Sequence, residues 1–333
     1  MLGNFRVSTQ DIEGFAAWRL TDLARDMSYC LVPGLGNFGC EFKVNGKDAL
    51  VPVPSLARYA QARRTGGGNP FLAPWANRID RDHFFFQGKK YLLNDALGSL
   101  RRDSLGLPLH GLLVFESRWQ VAASGASDED GAFVTTHLDF YKYPDLIAQF
   151  PFAQTYQVTH RLKDGQLEVI TQVANVGLCP LPVMMAYHPY FCPDGPREEW
   201  TLGIGARTHW ILDERNVATG ANEPVSRFLP QAQNFALGKT ALDDEFSDLE
   251  RDASGRGRVW VKGRSQKIEV AYGEGFDFAV VYAPAEKNLI CIEPQTGPTN
   301  VFNLQHEGKF NGLNVLEPGK TFTARYCIVP TGF

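Results

Sequence analysis

Apolar and polar positions alternate with period two along most of this chain, and the elements this predicts are strands. Tyr156, Val158, His160 and Leu162 alternate with Thr155, Gln157, Thr159 and Arg161. After Lys163-Asp164-Gly165 the pattern resumes at Leu167, Val169, Thr171 and Val173. Two alternating runs joined by Asp-Gly are a strong hairpin signal, because a tight hairpin turn needs residues that tolerate positive φ. Similar runs occur at 84–93 around Gly88, 132–140, 259–272 around Gly263, 276–282 and 321–329, and a turn-rich break lies at 124–131. Helical spacing is scarce. Ser55 followed by Leu56 to Ala62 predicts one short capped helix, and residues 10–26 are read as holding a turn or two of another. Many strands, few short helices and no βα alternation predict an all-β protein, a large antiparallel β-sandwich. With no repeat or low-complexity linker, its 333 residues fit a single domain spanning 1–333.

Charge narrows the partners. Lys and Arg (33) nearly balance Asp and Glu (37), and no basic run is long enough to track a phosphate backbone, so nucleic acid is not expected. No stretch reaches the roughly 18 apolar residues of a membrane span, and the amino terminus lacks the charged and apolar blocks of a leader. The expectation is a cytoplasmic protein, monomer or homodimer. Six scattered cysteines without C-x-x-C spacing read as reduced and buried.

Several apparent signals read as structure. Gly34-Leu35-Gly36-Asn37-Phe38-Gly39 fits G-x-G-x-x-G, but the alternating residues after it run to Asn45-Gly46, so a strand hairpin follows where a dinucleotide site needs a helix. Thr65-Gly66-Gly67-Gly68-Asn69 has the composition of an anion-binding loop, and its plainer reading is a flexible exposed segment. His160 lies in register with apolar neighbours and reads as a satisfied core histidine.

Two segments set a proton-transferring side chain beside a proline: Tyr187-His188-Pro189-Tyr190-Phe191 and Ile292-Glu293-Pro294-Gln295. Proline fixes its own φ and pushes the preceding residue towards extended geometry, so His188 and Glu293 should be presented from strand ends or tight loops. They form a potential acid and base pair. Two further segments, Asn69 to Ile79 and Leu109-His110-Gly111, also combine polar with aromatic or rigid residues. Aromatic rings suit the apolar faces of a sugar, and Arg, Asn, Gln and His suit its hydroxyls.

At these residues the chain resembles the aldose 1-epimerase (galactose mutarotase) family. The matching features run in order from Pro74-Trp75-Ala76-Asn77-Arg78-Ile79 through Leu109-His110-Gly111 and Ala186-Tyr187-His188-Pro189-Tyr190-Phe191 to Leu242-Asp243-Asp244-Glu245-Phe246 and Ile292-Glu293-Pro294-Gln295. The resemblance implies the galactose mutarotase-like supersandwich and a cytoplasmic isomerase of carbohydrate metabolism that needs no cofactor or metal. It also implies that Glu293 is the general base, His188 the general acid and His110 a helper near the ring oxygen. Arg78 and Asp243 would hold sugar hydroxyls, Asp243 being preferred to Asp244 by its spacing from Phe246. Asn77 would brace its loop and Gln295 line the pocket. The pattern departs from the family at Leu112-Leu113 after His110-Gly111, and at Thr296-Gly297-Pro298-Thr299.

The expected substrate is a free aldose, whose α and β anomers exchange by ring opening and reclosure. Histidine's ordinary pKa of about 6.5 would place the pH optimum near neutrality. The nearest rival is a hexose-6-phosphate 1-epimerase, with Arg58, Arg63, Arg64, Arg101 and Arg102 as candidates for a phosphate site. Two more distant alternatives are a noncatalytic carbohydrate-binding module on this fold, against which the retained His188 and Glu293 speak, and a metal-dependent enzyme ligated by His110, His188 and Glu293, for which the usual H-x-H or H-x-x-H spacing is lacking.

Overall fold

The computed structural model describes residues 3–333. Among the described residues the strands form two large sheets, a five-stranded sheet at the amino-terminal end and two two-stranded ribbons, and every ladder between named strands is antiparallel. The first nine-stranded sheet is centred on Gln154–Lys163, Gln166–Asn175, Thr321–Thr331 and Lys267–Tyr272. The second runs from Ala218–Pro224 through Ala206–Leu212, Leu242–Leu249, Phe278–Ala283 and Ile290–Gln295 to the two-residue strands Ala186–Tyr187 and Phe71–Leu72. Their inner faces pack on one another. Val158, Val169, Leu202 and Ile328 of the first sheet share a core cluster with Phe246, Ala279, Val281 and Ile292 of the second. A polar tie crosses the same interface, where the Thr171 and Tyr187 hydroxyls lie 2.7 Å apart.

The expected hairpins form where the turn chemistry places them. Lys163 pairs with Gln166 across Asp164 and Gly165, both with positive φ, and the ladder continues to Gln154 opposite Asn175. Among the described residues the α-helices are four short ones. The Leu56–Ala62 helix is capped as expected, the Ser55 hydroxyl accepting from the Arg58 amide at 3.2 Å.

Residues 10–26 differ from expectation. They contain no helix; Phe5–Ile12 and Phe15–Asp22 pair as a hairpin and open a five-stranded meander. Glu13 and Gly14 turn the chain with φ of 54° and 85°, and the second strand is then held by Met27–Val32 on its other side.

The glycine motif is indeed followed by strands, Phe38–Val44 and then Lys47–Asp48 across Asn45-Gly46. Gly36 has φ of 74°, and a Cβ there would enter the Val114 carbonyl, so this glycine serves a close backbone approach. The Thr65–Asn69 segment is not the exposed loop expected. Gly67 to Asn69 are buried, and the amides of Gly68 and Asn69 donate to Val51 and Gly39, which leaves neither free for an anion. His160 is a fully buried core histidine with the Tyr29 hydroxyl at Nδ1 and Asn37 at Nε2. Of the six cysteines, Cys30, Cys40, Cys291 and Cys327 are buried, whereas Cys179 and Cys192 are exposed.

Candidate active site

The second large sheet brings His188 and Glu293 together by register. Ala186 pairs with Gln295 and Tyr190 with Cys291, so the same register carried inward sets His188 opposite Glu293. The ladder is interrupted there because Pro189 has no N–H to offer, and the His188 amide instead donates to the Pro70 carbonyl at 3.0 Å. His188 thus occupies a two-residue break between short strands. Glu293 stands within the continuous strand Ile290–Gln295, braced by Phe278–Ala283 on its other side.

The imidazole Nε2 of His188 lies 3.1 Å from Oε1 of Glu293, and both side chains are almost wholly buried. Tyr190 stacks on the His188 ring at 4.6 Å between centroids and 13° between planes, which fixes the ring's tilt. His110 meets the same ring edge-on at 5.3 Å. It is brought there by the pairing of residues 73–78 with 109–113: the His110 amide donates to the Asn77 carbonyl, Arg78 bridges Leu109, and Ala73 bridges Gly111. Asn77 and His110 both hold positive φ, so this corner is a tight reversal of two segments.

These residues border a cleft of about 220 Å³ lined by Thr65, Asn77, Arg78, Leu109, His110, His188, Tyr190, Asp243, Tyr282 and Glu293. Six of the seven residues expected from the sequence are therefore brought to one cavity. Gln295 is not among the lining residues. It is fully buried next to Glu293 on the same strand face, with its Nε2 3.5 Å from Oε2 of Glu293.

Strand alternation separates the three acids at 243–245. Asp243 reaches the cleft and accepts from Asn216 Nδ2 at 2.8 Å. Asp244 takes the opposite face and holds His209 Nε2 at 3.0 Å, so its carboxylate is committed elsewhere. Glu245 returns to the inner face, fully buried, where it accepts the Thr299 amide at 2.9 Å and fastens the loop after the Glu293 strand.

Two positioning residues had escaped the sequence reading. Asp103 grips Arg78 Nε at 2.8 Å while its other oxygen accepts the Leu105 and Leu107 amides. Asn216 orients Asp243. Asp103 lies four positions before Leu107 in a Gly-containing turn, a pattern typical of an Asx turn, and that was the available signal. For Asn216 no local signal exists.

Burial dominates the electrostatics. It pushes His188 down to about 3, with the charge of Arg101 acting the same way. It raises Glu293 well above the usual carboxylate range, and the nearby Asp243 charge adds to that rise while Gln295 and Arg78 oppose it. His110 is held well below its ordinary value by burial first, with the charges of Arg101 and Arg78, and any charge on His188, acting the same way, so it is a neutral hydrogen-bonding group. The expectation that His188 would titrate near 6.5 is corrected by this burial. Among the described residues no three His, Cys, Asp or Glu are grouped to hold a metal ion. No helix among them is long and apolar enough to cross a membrane.

The sequence profile of the aldose 1-epimerase family matches residues 40–328, and the chain belongs to that family. It is 23% identical over 289 residues to the uncharacterized protein YihR of Escherichia coli (strain K12), covering 85% of this chain and 81% of YihR. Its fold is similar to that of a galactose mutarotase-like protein from Clostridium acetobutylicum, with a TM-score of 0.84 at 19% identity over 99% of each chain. A galactose 1-epimerase from Lactobacillus acidophilus NCFM superposes with a TM-score of 0.77 at 14% identity over 98% of each chain. The all-β architecture is thus the galactose mutarotase-like antiparallel fold.

Proposed function

We propose that this protein is an aldose 1-epimerase, an isomerase that exchanges the α and β anomers of an aldose by acid and base catalysis at His188 and Glu293. The observation that carries the reading is their 3.1 Å contact at the base of a polar cleft. The two oxygens that exchange protons in a cyclic hemiacetal, the C1 hydroxyl and the ring oxygen, are bonded to one carbon. An acid and a base serving both must therefore be neighbours.

Burial disfavours charge on either partner, so the resting pair holds one proton, favouring the uncharged form in which Glu293 carries it. Moving that proton to His188 gives a carboxylate and an imidazolium with no net uptake. Glu293 then removes the C1 hydroxyl proton as His188 protonates the ring oxygen; the bond from C1 to the ring oxygen breaks and the C1 carbonyl forms. Rotation about C1–C2 and reversal of both transfers closes the other anomer. Arg78, which opposes the rise at Glu293, favours the carboxylate in this exchange. Arg78 and Asp243 are suited to hydroxyls of the ring, and neutral His110 to a hydrogen bond near the ring oxygen.

A positioned acid or base contributes about 10²–10⁴-fold, so Glu293→Gln should lower the anomer exchange rate within that range. Saturation-transfer NMR on glucose and galactose reads it directly. Equal rates for the wild type and Glu293→Gln would favour a noncatalytic carbohydrate-binding module and end the enzyme reading.

A further inference from the structure

Cys30 and Cys40 are neighbours through an irregularity in the amino-terminal sheet. Met27–Val32 and Phe38–Val44 pair in register until Cys30 faces Glu41, and the next pair is Leu31 with Gly39, so Cys40 is the extra residue of a β-bulge. A bulge turns two successive side chains towards the side of the one residue they oppose. Glu41 stands there and takes the guanidinium of Arg19, which pairs with Cys30 from the adjoining strand. Cys40 stands there too, and joins Cys30 in a small core cluster with Val32, Phe38 and Leu56. The two thiols are hydrogen-bonded to each other, and Cys30 Sγ also accepts from Gln10 Nε2 at 3.6 Å.

These contacts make the thiols unequal. Cys40 gives its hydrogen to Cys30, which lowers Cys30 from the ordinary thiol value; the Arg19 charge and the Gln10 amide act the same way against burial and Glu41. The same bond, together with burial, raises Cys40. A more acidic thiol beside one that keeps its proton is the arrangement of an attacking cysteine and its resolving partner. Cys30 is fully buried and Cys40 is 7% exposed, so only a small oxidant reaches them. The acid and base chemistry at His188 and Glu293 uses neither.

We propose that Cys30 and Cys40 form a dithiol site that reacts with hydrogen peroxide and closes to a disulfide. The Cys30 thiolate attacks one peroxide oxygen; the O–O bond breaks, Cys30 becomes a sulfenic acid, and the leaving hydroxide takes the proton that Cys30 lost. Cys40 then gives up its proton and attacks the Cys30 sulfur, the S–O bond breaks, and the hydroxyl leaves with that proton as water. The two thiols lose two electrons and the peroxide is reduced to two waters.

Closure reaches the catalytic cleft through main-chain bonds. Gly39, next to Cys40, exchanges amide bonds with Asn69, and the carbonyl of the following Pro70 holds the His188 amide. Drawing the sulfurs to the roughly 2.05 Å of a disulfide shifts this path, so closure should slow anomer exchange. That consequence, unlike the disulfide itself, rests on the epimerase reading.

The test uses the full chain carrying Cys179→Ser and Cys192→Ser, which remove the exposed thiols. The protein is treated with hydrogen peroxide, unfolded, alkylated with iodoacetamide and digested with trypsin, which leaves both cysteines in the peptide 26–43. The expected product is that peptide unalkylated and lighter by two hydrogens, and dithiothreitol should restore the doubly alkylated form. Two alkylatable thiols after peroxide, or a sulfinic acid in place of the cross-link, overturns the site. This map needs no substitution within the pair. Dimedone should label Cys30 in Cys40→Ser, and labelling of Cys40 in Cys30→Ser instead would overturn the assigned order. Glucose anomer exchange should fall roughly 3–10-fold on closure and recover with dithiothreitol. Closure with an unchanged rate ends the link to His188 and upholds the disulfide, whereas closure in a protein that exchanges no anomers in either form ends the epimerase reading alone.

Discussion

His188 Nε2 and Glu293 Oε1 lie 3.1 Å apart on the wall of the cleft with both side chains almost wholly buried, an arrangement that favours one proton on the pair. A second proton is resisted because burial has pushed His188 down to about 3, and loss of the first is resisted because Glu293 is raised well above its ordinary value. The acid limb of kcat/KM should therefore lie well below the ordinary histidine value of about 6.5, and the alkaline limb reports the proton of Glu293. Polarimetric rates from pH 4 to 9 decide this: activity at pH 5 should remain within about twofold of that at pH 7. A half-loss centred near 6.5 would show that the buried pair does not govern the reaction.

Arg78 should depend on Asp103 for its reach. Asp103→Asn keeps an oxygen for the Leu105 and Leu107 amides but removes the charge that grips Arg78 Nε. The expected result is a KM raised roughly tenfold with kcat less affected. Steady-state kinetics with an unchanged melting temperature would confirm a positioning role, and an unchanged KM would exclude it.

Glu245 gives a stability signature. Burial raises it from 4.5 to about 8, so between those values the folded protein keeps a proton that the unfolded chain has lost. Stability then falls as pH rises through that window. Glu245→Gln retains an oxygen for the Thr299 amide and has no proton to lose. Its melting temperature should gain on the wild type from pH 5 to pH 8, as calorimetry would read; parallel curves would refute the buried-acid account.

Gly36 tests the reading of the glycine motif. Gly36→Ala combines a strained positive φ with a Cβ driven into the Val114 carbonyl and should destabilise by roughly 2–4 kcal/mol in urea unfolding. A neutral effect would mean that the backbone approach at Val114 is not what this glycine serves.

The strands were legible because their signals are local. Asp164-Gly165 and Asn45-Gly46 dictate turns, and the alternation at 156–162 dictates a face. The amino-terminal hairpin was missed because Ala16, Ala17, Leu20 and Leu23 happen to repeat at helical spacing, whereas the deciding residues, Glu13 and Gly14, act through turn geometry and pairing. The candidate catalytic residues were found through short motifs and a resemblance. Asp103 and Asn216 were not, since a hydrogen bond to a residue far along the chain leaves no periodic trace.

The register that sets His188 against Glu293 also decides where this protein can vary. The chain between them can lengthen or shorten without moving either residue, because sheet pairing and not chain distance makes them neighbours. A single residue added or removed between Ala186 and His188, or between Glu293 and Gln295, would turn one partner to the opposite face of the sheet. Diversification of such a scaffold is therefore free in its loops and nearly forbidden in two stretches a few residues long.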